Sequence, residues 1–376
     1  MSRVFVVNSG SSSIKYQLVD VANEEAILTG LVERIGEPGG DATDHVDGMR
    51  RVLAELGDAA NGLAAVGHRV VHGGEAFTAP TVVTDAVIEQ IEQVSMLAPL
   101  HNPANLAGIR AAMAVLPAVP HVAVFDTAFH QTMSPAAYTY AIDREVAREH
   151  GVRRYGFHGT SHAFVAERAA EHLGRPLAQL KLIVLHLGNG ASVAAIDGGR
   201  SIDTSMGLTP LQGLVMGTRS GDLDPAVLLH LHRQAGMSVD ELDALLNKRS
   251  GLLGLSGSAD MRDVTKAADE GDGDAALALD VWAHRIRHYV GAYLAQLGGL
   301  DAVVFTAGIG ENSPALRALA LAGLEFLGLA VDPERNAERS RAARTISPEG
   351  GGVAVLVVPT NEELSIARQA AALAEA

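Results

Sequence analysis

Cysteine is absent from this 376-residue chain, so no disulfide can form. That fits a reducing compartment such as the cytoplasm. Lysine is scarce: Lys15, Lys181, Lys248 and Lys266 are the only ones among 29 basic residues. With 44 acidic residues the formal net charge is −15. That argues against a nucleic-acid surface, and any site for anions must be locally positive. No apolar run reaches roughly eighteen residues, so no membrane span is expected. The first strand begins within about four residues of the N-terminus, so no signal peptide is expected. Familiar signatures are also missing. There is no G-x-x-x-x-G-K-[ST], no G-x-G-x-x-G and no H-E-x-x-H, so the glycines belong neither to a P-loop nor to a Rossmann fingerprint. His284 and His288 stand four apart on a helix with no third ligand nearby in sequence, and they read as a solvated face.

What is present is organised around VFVVNSGSSSIKYQLVD, Val4 to Asp20. Val4 to Val7 reads as a strand buried on both faces. After Asn8, Ser9 and Gly10, apolar Ile14, Tyr16 and Leu18 alternate with polar residues, so the chain returns as a second strand. The tip is small, hydroxyl-rich and glycine-containing, which lets backbone N–H groups approach an anion such as polyphosphate. A Ser/Gly turn is more often only a turn. The rarity of Lys15 and the recurrence of the same grammar favour function. LIVLHL (Leu182 to Leu187) is followed by Gly188-Asn189-Gly190-Ala191-Ser192 and a strand from Val193 to Asp197. Two such units half a chain apart suggest a duplicated α/β fold with one phosphate hairpin per half.

Along the chain, strands are expected at Ala26 to Val32 and around Ala65 to Val71, then helices at Asp85 to Leu97 and Pro103 to Val115. Val122 to Phe125 is a short buried strand ending at Asp126. A carboxylate there marks a site in open α/β sheets, or a plain helix cap. RRYGFHGTSH (Arg153 to His162) leads into a helix ending near Gly174. Asp203 to Pro225 is a long Gly/Ser/Thr-rich loop carrying Arg219. Loops of that length are functional or disordered, and its apolar residues argue against disorder. Ala302 to Thr306 is a buried strand leading into AGIGENS, and Val353 to Val358 precedes PTNEE and a terminal helix.

NSGSSSIK, RRYGFHGTSH, HLGNGAS, MGTRSGD and FTAGIGENS, in this order from Asn8 to Glu362, resemble the acetate kinase family of the acetate-and-sugar-kinase/Hsp70/actin superfamily. The resemblance implies a duplicated ribonuclease-H-like, actin/Hsp70-type fold with the active site in the interdomain cleft. Residues 1–148 plus 361–376 would form one domain and 149–360 the other. It further implies ATP + acetate ⇌ ADP + acetyl phosphate with Mg²⁺ or Mn²⁺, in a cytoplasmic homodimer serving acetyl-CoA biosynthesis. The stretch between Arg34 and Gly67 looks shorter than in commoner members, away from the motifs.

Residue by residue, the resemblance places Asn8 and Glu362 at the metal, which needs few protein ligands. It places Lys15 at the nucleotide phosphates, and His186, Leu187, Gly188, Asn189 and Gly190 in the second phosphate loop. Asp260, Met261 and Arg262 would meet the adenosine. Gly308, Ile309, Gly310, Glu311 and Asn312 would offer bare backbone to the nucleotide. Arg69 and Arg219 match the arginines at the acyl phosphate, where a planar guanidinium pairs bidentately. His158 matches the transition-state histidine. Val71, Leu100, Phe157 and Pro210 match a hydrophobic acetate pocket. Structural readings stand beside these: an N-terminal helix charge for Glu362, a capping histidine for His158, an exposed ion pair for a loop arginine.

Asp126 matches the family's catalytic acid/base. Acetate, however, has a carboxylate pKa of roughly 4 to 5 and is already ionised at neutral pH. Direct in-line transfer then needs positioning and charge neutralisation, and the expectation is that Asp126 orients Arg69 or a metal-bound water. Propionate or butyrate are alternative acyl substrates. A sugar kinase of the superfamily and a non-enzymatic actin-like ATPase are the other readings. The paired arginines and RRYGFHGTSH speak against the last.

Overall fold

Val4, Phe5, Val6 and Val7 have no exposed face; each is at most 1 % accessible. They lie in β1 (Arg3–Ser9), which turns back into β2 (Ile14–Asp20), antiparallel, with Asn8 opposite Lys15. β3 (Glu25–Val32) continues the meander. On the other side of β1 lie β4 (Leu63–Val70), β5 (Thr81–Val82) and β6 (His121–Phe125). The sheet order is β3-β2-β1-β4-β6-β5, with β1, β4 and β6 parallel and β5 antiparallel at the edge. The computed structural model describes residues 2–375.

β1 and β4 are covered by two helices, Asn102–Val115 and Glu362–Ala374. Burial on both faces is why these strands read as continuous apolar runs. The terminal helix comes so close that a Cβ on Gly67 would stand 2.7 Å from Ile366 Cγ2. On the other face Phe5, Val7, Val66, Ala111 and Ala112 share one apolar cluster.

The second sheet repeats the first. β7 (Lys181–Leu187), β8 (Ala191–Asp197) and β9 (Arg200–Thr204) form the antiparallel meander. β10 (Ala302–Thr306), β11 (Arg344–Thr345) and β12 (Ala354–Val357) complete the order β11-β12-β10-β7-β8-β9. β10 runs parallel to β7 and to β12, while the two-residue β11 is again an antiparallel edge. Element for element this matches the first sheet, down to the short edge strand. The duplicated α/β fold expected from the two hairpins is present. Strands β5, β9 and β11 are additions that periodicity did not announce, because two of them have only two residues.

By contacts the chain divides into Met1–Gln131, Phe157–Phe164 and Asn361–Ala376 as one unit, and Thr132–Gly156 with Val165–Thr360 as the other. The boundary expected at 148/149 falls inside Thr132–Gly156, and His158 groups with the first unit, not with the half that holds Arg219. Among the described residues no helix is long and apolar enough to cross a membrane.

Candidate active site

In the first unit the C-terminal ends of three parallel strands lie side by side: β1 ends near Asn8, β4 at Arg69 and Val70, β6 just before Asp126. Side chains issuing there converge by topology, as open α/β sheets dictate. Arg69 meets Asp126 in a two-pronged pair, Nε to Oδ1 at 3.1 Å and Nη2 to Oδ2 at 2.6 Å. Glu362, in the first turn of the terminal helix, stands 3.9 Å from Arg69 Nε. The Asp126 charge, with Glu362 adding to it, drives the Arg69 pKa up, so this guanidinium is permanently charged. Asp126 itself is 1 % exposed, and its backbone N–H bonds to the Val70 carbonyl.

His158 comes next to this cluster through the backbone. Gly159 N–H donates to the Asp126 carbonyl at 2.9 Å, and a Cβ on Gly159 would stand 2.3 Å from that oxygen. His158 sits at φ 56, and its carbonyl accepts the N–H of His162, opening the helix Gly159–Leu173. A left-handed conformation at a histidine is costly and persists only where surrounding structure imposes it. The capping position expected as the ordinary reading is therefore real.

Two buried asparagines hold this end of the sheet, and sequence reading assigned them no role. Asn105 donates to the Ser9 carbonyl (2.7 Å) and accepts from Val71 N–H (3.1 Å). Asn102 does the same for both backbone groups of His72. Their signal was available in the polar HNPAN at the start of an otherwise apolar helix.

The expected acyl-pocket residues do not share one environment. Val71 and Phe157 are buried, the latter edge-on to His72 at 5.5 Å, but Leu100 is 63 % exposed at a turn before Asn102. Pro210 belongs to the second unit, where its carbonyl accepts from Arg219 Nη1 at 2.6 Å. Burial lowers the Arg219 pKa somewhat from its ordinary value. It is a largely desolvated guanidinium without a carboxylate partner among the described residues.

The second unit holds a cavity of about 790 Å³, a size suited to a nucleotide-scale ligand. Its wall brings together Gly188, Asn189, Asp260, Met261, Arg262, Gly308, Ile309 and Asn312 of the expected set. Asp260 caps the helix Met261–Asp269 by accepting from Arg262 N–H, and the Arg262 side chain folds back on it at 2.5 Å. Those hydrogen bonds bring the Asp260 pKa down to about 2. Gly217, Leu252, Ala259, Thr265, Ser313 and Leu316 also line the wall and were not anticipated.

His186, Leu187, Gly190, Gly310 and Glu311 are not in that wall. His186 and Leu187 are the last residues of β7 and are buried in the sheet; Gly188 N–H donates to the Gly190 carbonyl, closing the tip so that only Gly188 and Asn189 face the cavity. Gly308 to Asn312 form a short helix, Ala307–Asn312, and not open backbone. Glu311 turns inward and accepts from Ala307 N–H (2.9 Å) and Thr360 N–H (3.0 Å). The reason is the need of the first helical N–H groups for an acceptor. Lys15 pairs with Glu363 at 2.5 Å, its side chain about half exposed. Such a pair is weak and readily exchanged.

Duplicated sheets, a glycine-walled cavity at the end of one and a locked arginine at the end of the other are the build of a nucleotide-dependent phosphotransferase. The acetokinase family model matches residues 3–368, and the chain belongs to that family. It is 64 % identical to a Leifsonia xyli protein named acetate kinase, over 98 % of each chain, and 57 % identical to a Streptomyces avermitilis acetate kinase, over 99 % of this chain and 97 % of that one. Among solved structures it resembles Porphyromonas gingivalis acetate kinase (TM-score 0.95, 42 % identity, covering 99 % and 100 %). It also resembles a Francisella tularensis propionate kinase (TM-score 0.92, 41 % identity, covering 98 % and 99 %).

Proposed function

We propose that this chain catalyses the reversible transfer of the γ-phosphoryl group of ATP to acetate, giving ADP and acetyl phosphate. The observation that carries the mechanism is the two-pronged Arg69–Asp126 pair. A carboxylate tied twice to a permanent cation is poorly suited to take a proton. Asp126 is thus a positioning residue that fixes the Arg69 fork, and no base is required. An acetate oxygen, already ionised, forms the bond to the γ-phosphorus. The bond to the β,γ-bridging oxygen breaks, and its electron pair leaves with ADP. Arg69, Arg219 and His158 supply positive charge or hydrogen bonds to the transferring oxygens. Desolvation strengthens what Arg219 contributes. The cavity at Gly188, Asp260 and Gly308 takes the nucleotide, and Lys15 exchanges Glu363 for a phosphate oxygen.

The family implies Mg²⁺, and the donor set fits it. Asn8 and Glu362 offer an amide and a carboxylate oxygen, both partly exposed. Among the described residues no group of three or more His, Cys, Asp or Glu forms a metal cage. Mg²⁺ needs no such cage, because it keeps several waters and takes one or two protein oxygens plus phosphate. Bound there, it would neutralise phosphate charge.

The chain acts in the cytoplasm as a homodimer in this reading. The helix Ala226–Ala235 buries none of its residues, although Val227 and Leu229 are 41 % and 54 % exposed. An apolar helix left bare suits a second copy. Trapping acyl phosphate with hydroxylamine, with acetate, propionate, butyrate or no acid, tests the function. Acetate should give the most hydroxamate. ATP turnover independent of any acid would overturn the reading.

A further inference from the structure

Beyond the nucleotide cavity, the second unit holds another of about 600 Å³ whose walls carry Arg317, Arg339, Arg341 and Arg344 against Glu311 and Glu338. So much positive charge in one recess is unexpected in a chain of net charge −15. One of the two glutamates is already committed, since Glu311 serves the Ala307 and Thr360 amides. Among the described residues Arg339, Arg341 and Arg344 form no salt bridge. The Arg344 Nε is closed off from solvent and has no acceptor, while Nη1 reaches only the Ser340 carbonyl at 3.2 Å. Buried donors are nearly always paired, and a charged one left bare signals a missing acceptor.

Arg317 forms the rigid back wall. It is 1 % exposed and donates to Asn336 Oδ1 (2.7 Å), the Asn336 carbonyl (2.7 Å) and the carbonyls of Gly310 and Glu311 (2.9 and 3.0 Å). Burial, together with the neighbouring Arg344 charge, pulls its pKa down to about 10. Two guanidinium groups thus repel each other across the recess, and Glu338 and the already committed Glu311 offset the charge of Arg344 only in part.

We propose that this recess is a second anion site, which takes a small phosphate-bearing dianion: free phosphate or a phosphate monoester. The dianion accepts from the exposed forks of Arg339 and Arg341 and from the Arg344 guanidinium, which turns its buried Nε toward the recess on binding, and it screens Arg344 from Arg317. Planar guanidinium donors suit tetrahedral oxyanions. The site adjoins the nucleotide cavity. Asn312 lines both, and Arg317 holds the carbonyls of the helix Ala307–Asn312 that walls the other side. This goes beyond the phosphotransfer reading and does not depend on it.

The test is calorimetric titration of inorganic phosphate into the full chain saturated with Mg²⁺ and a non-hydrolysable ATP analogue, so that the nucleotide cavity is filled. One phosphate per chain should still bind. Arg341→Gln and Arg344→Gln should each weaken it by roughly tenfold or more, as loss of a charge-assisted bond does. Arg341→Gln lies on the exposed rim, so its phosphate-free melting temperature should equal wild type, which separates lost binding from lost folding. Glycerol phosphate in place of phosphate tells the two sources apart: tighter binding assigns a monoester, weaker binding assigns the free ion. The proposal fails if phosphate binds only when the nucleotide cavity is empty. It fails equally if both variants keep wild-type affinity, or if citrate binds tighter than either phosphate probe.

Discussion

The two sheets share strand order and direction, yet the ends of their parallel strands carry different chemistry. In the first unit β1, β4 and β6 end near Asn8, Arg69 and Asp126; the Arg69 and Asp126 side chains are locked to each other, and buried asparagines hold the backbone of Ser9, Val71 and His72. In the second, β7 and β10 end in a glycine tip and a short helix that wall a cavity. Topology determines where a site can be; the residues past each strand determine whether it holds fixed charge or leaves room. The lesson is that duplication supplied one frame, which was then specialised at its ends.

Arg219 breaks this division, being a desolvated charge in the unit that otherwise offers room. Arg219→Ala should therefore show the largest effect, a loss of about 10³–10⁵ in kcat with little change in ATP affinity. Arg219→Lys should recover little, because a point charge lacks the planar fork. A lysine enzyme near wild type would show that charge alone matters.

Asp126→Asn tests the locked cluster of the first unit. It removes one charge from the Arg69 pair and should lower kcat/KM about 10²-fold, the scale of a misplaced group. The pH–rate profile from pH 6 to 8 should keep its shape, since no proton moves through Asp126. A basic limb that vanishes in the variant would make Asp126 a base after all.

Val71→Ala asks whether the first unit also sets acyl size. One methylene is worth roughly 10- to 200-fold in selectivity. The acetate-to-propionate ratio of kcat/KM should fall within that range as the added space favours the longer acid. An unchanged ratio would assign Val71 to packing alone, alongside its N–H bond to Asn105.

Asp260→Ala probes the second unit. It removes the helix cap and the Arg262 anchor and should raise KM for ATP several-fold while leaving kcat nearly intact, the pattern of lost uniform binding. A kcat loss as large as that of Arg219→Ala would erase the contrast between cavity and charge cluster.

The smallest effect concerns stability. In the first unit His68 Nε2 lies 2.9 Å from His121 Nδ1, both buried, and burial depresses both pKa values. The unfolded chain binds protons on these rings near their ordinary pKa of about 6.5, and the folded chain does not. Stability should therefore hold above that pH and decline below it, by denaturant titration at pH 7.5 and 5.5. His68→Asn should flatten the decline.

Much of this was legible in residue order. Apolar runs ending in Asn8, Asp126 and Gly188 announced strands whose ends matter, because a strand covered on both faces tolerates only apolar side chains. The hairpin grammar announced the duplication for the same reason. The long motifs announced the family. The Arg69–Asp126 pair was less visible, since its partners lie 57 residues apart and meet only because β4 and β6 are neighbours. Glu311 shows the limit most clearly. Inside a motif read as nucleotide-facing, it turns inward to satisfy the nearby Ala307 amide and also the Thr360 amide, which only the pairing of β10 with β12 brings within reach.

The sequence by itself thus determined the elements, their duplication and the chemical inventory, because burial and turn geometry act on residues close along the chain. Tertiary structure decided which members of that inventory meet. It joined Arg69 to Asp126, exposed Leu100 and gathered arginines from 317 to 344 around one recess. Those outcomes depend on hydrogen-bond demands and strand neighbours distant in the chain, which no local pattern encodes.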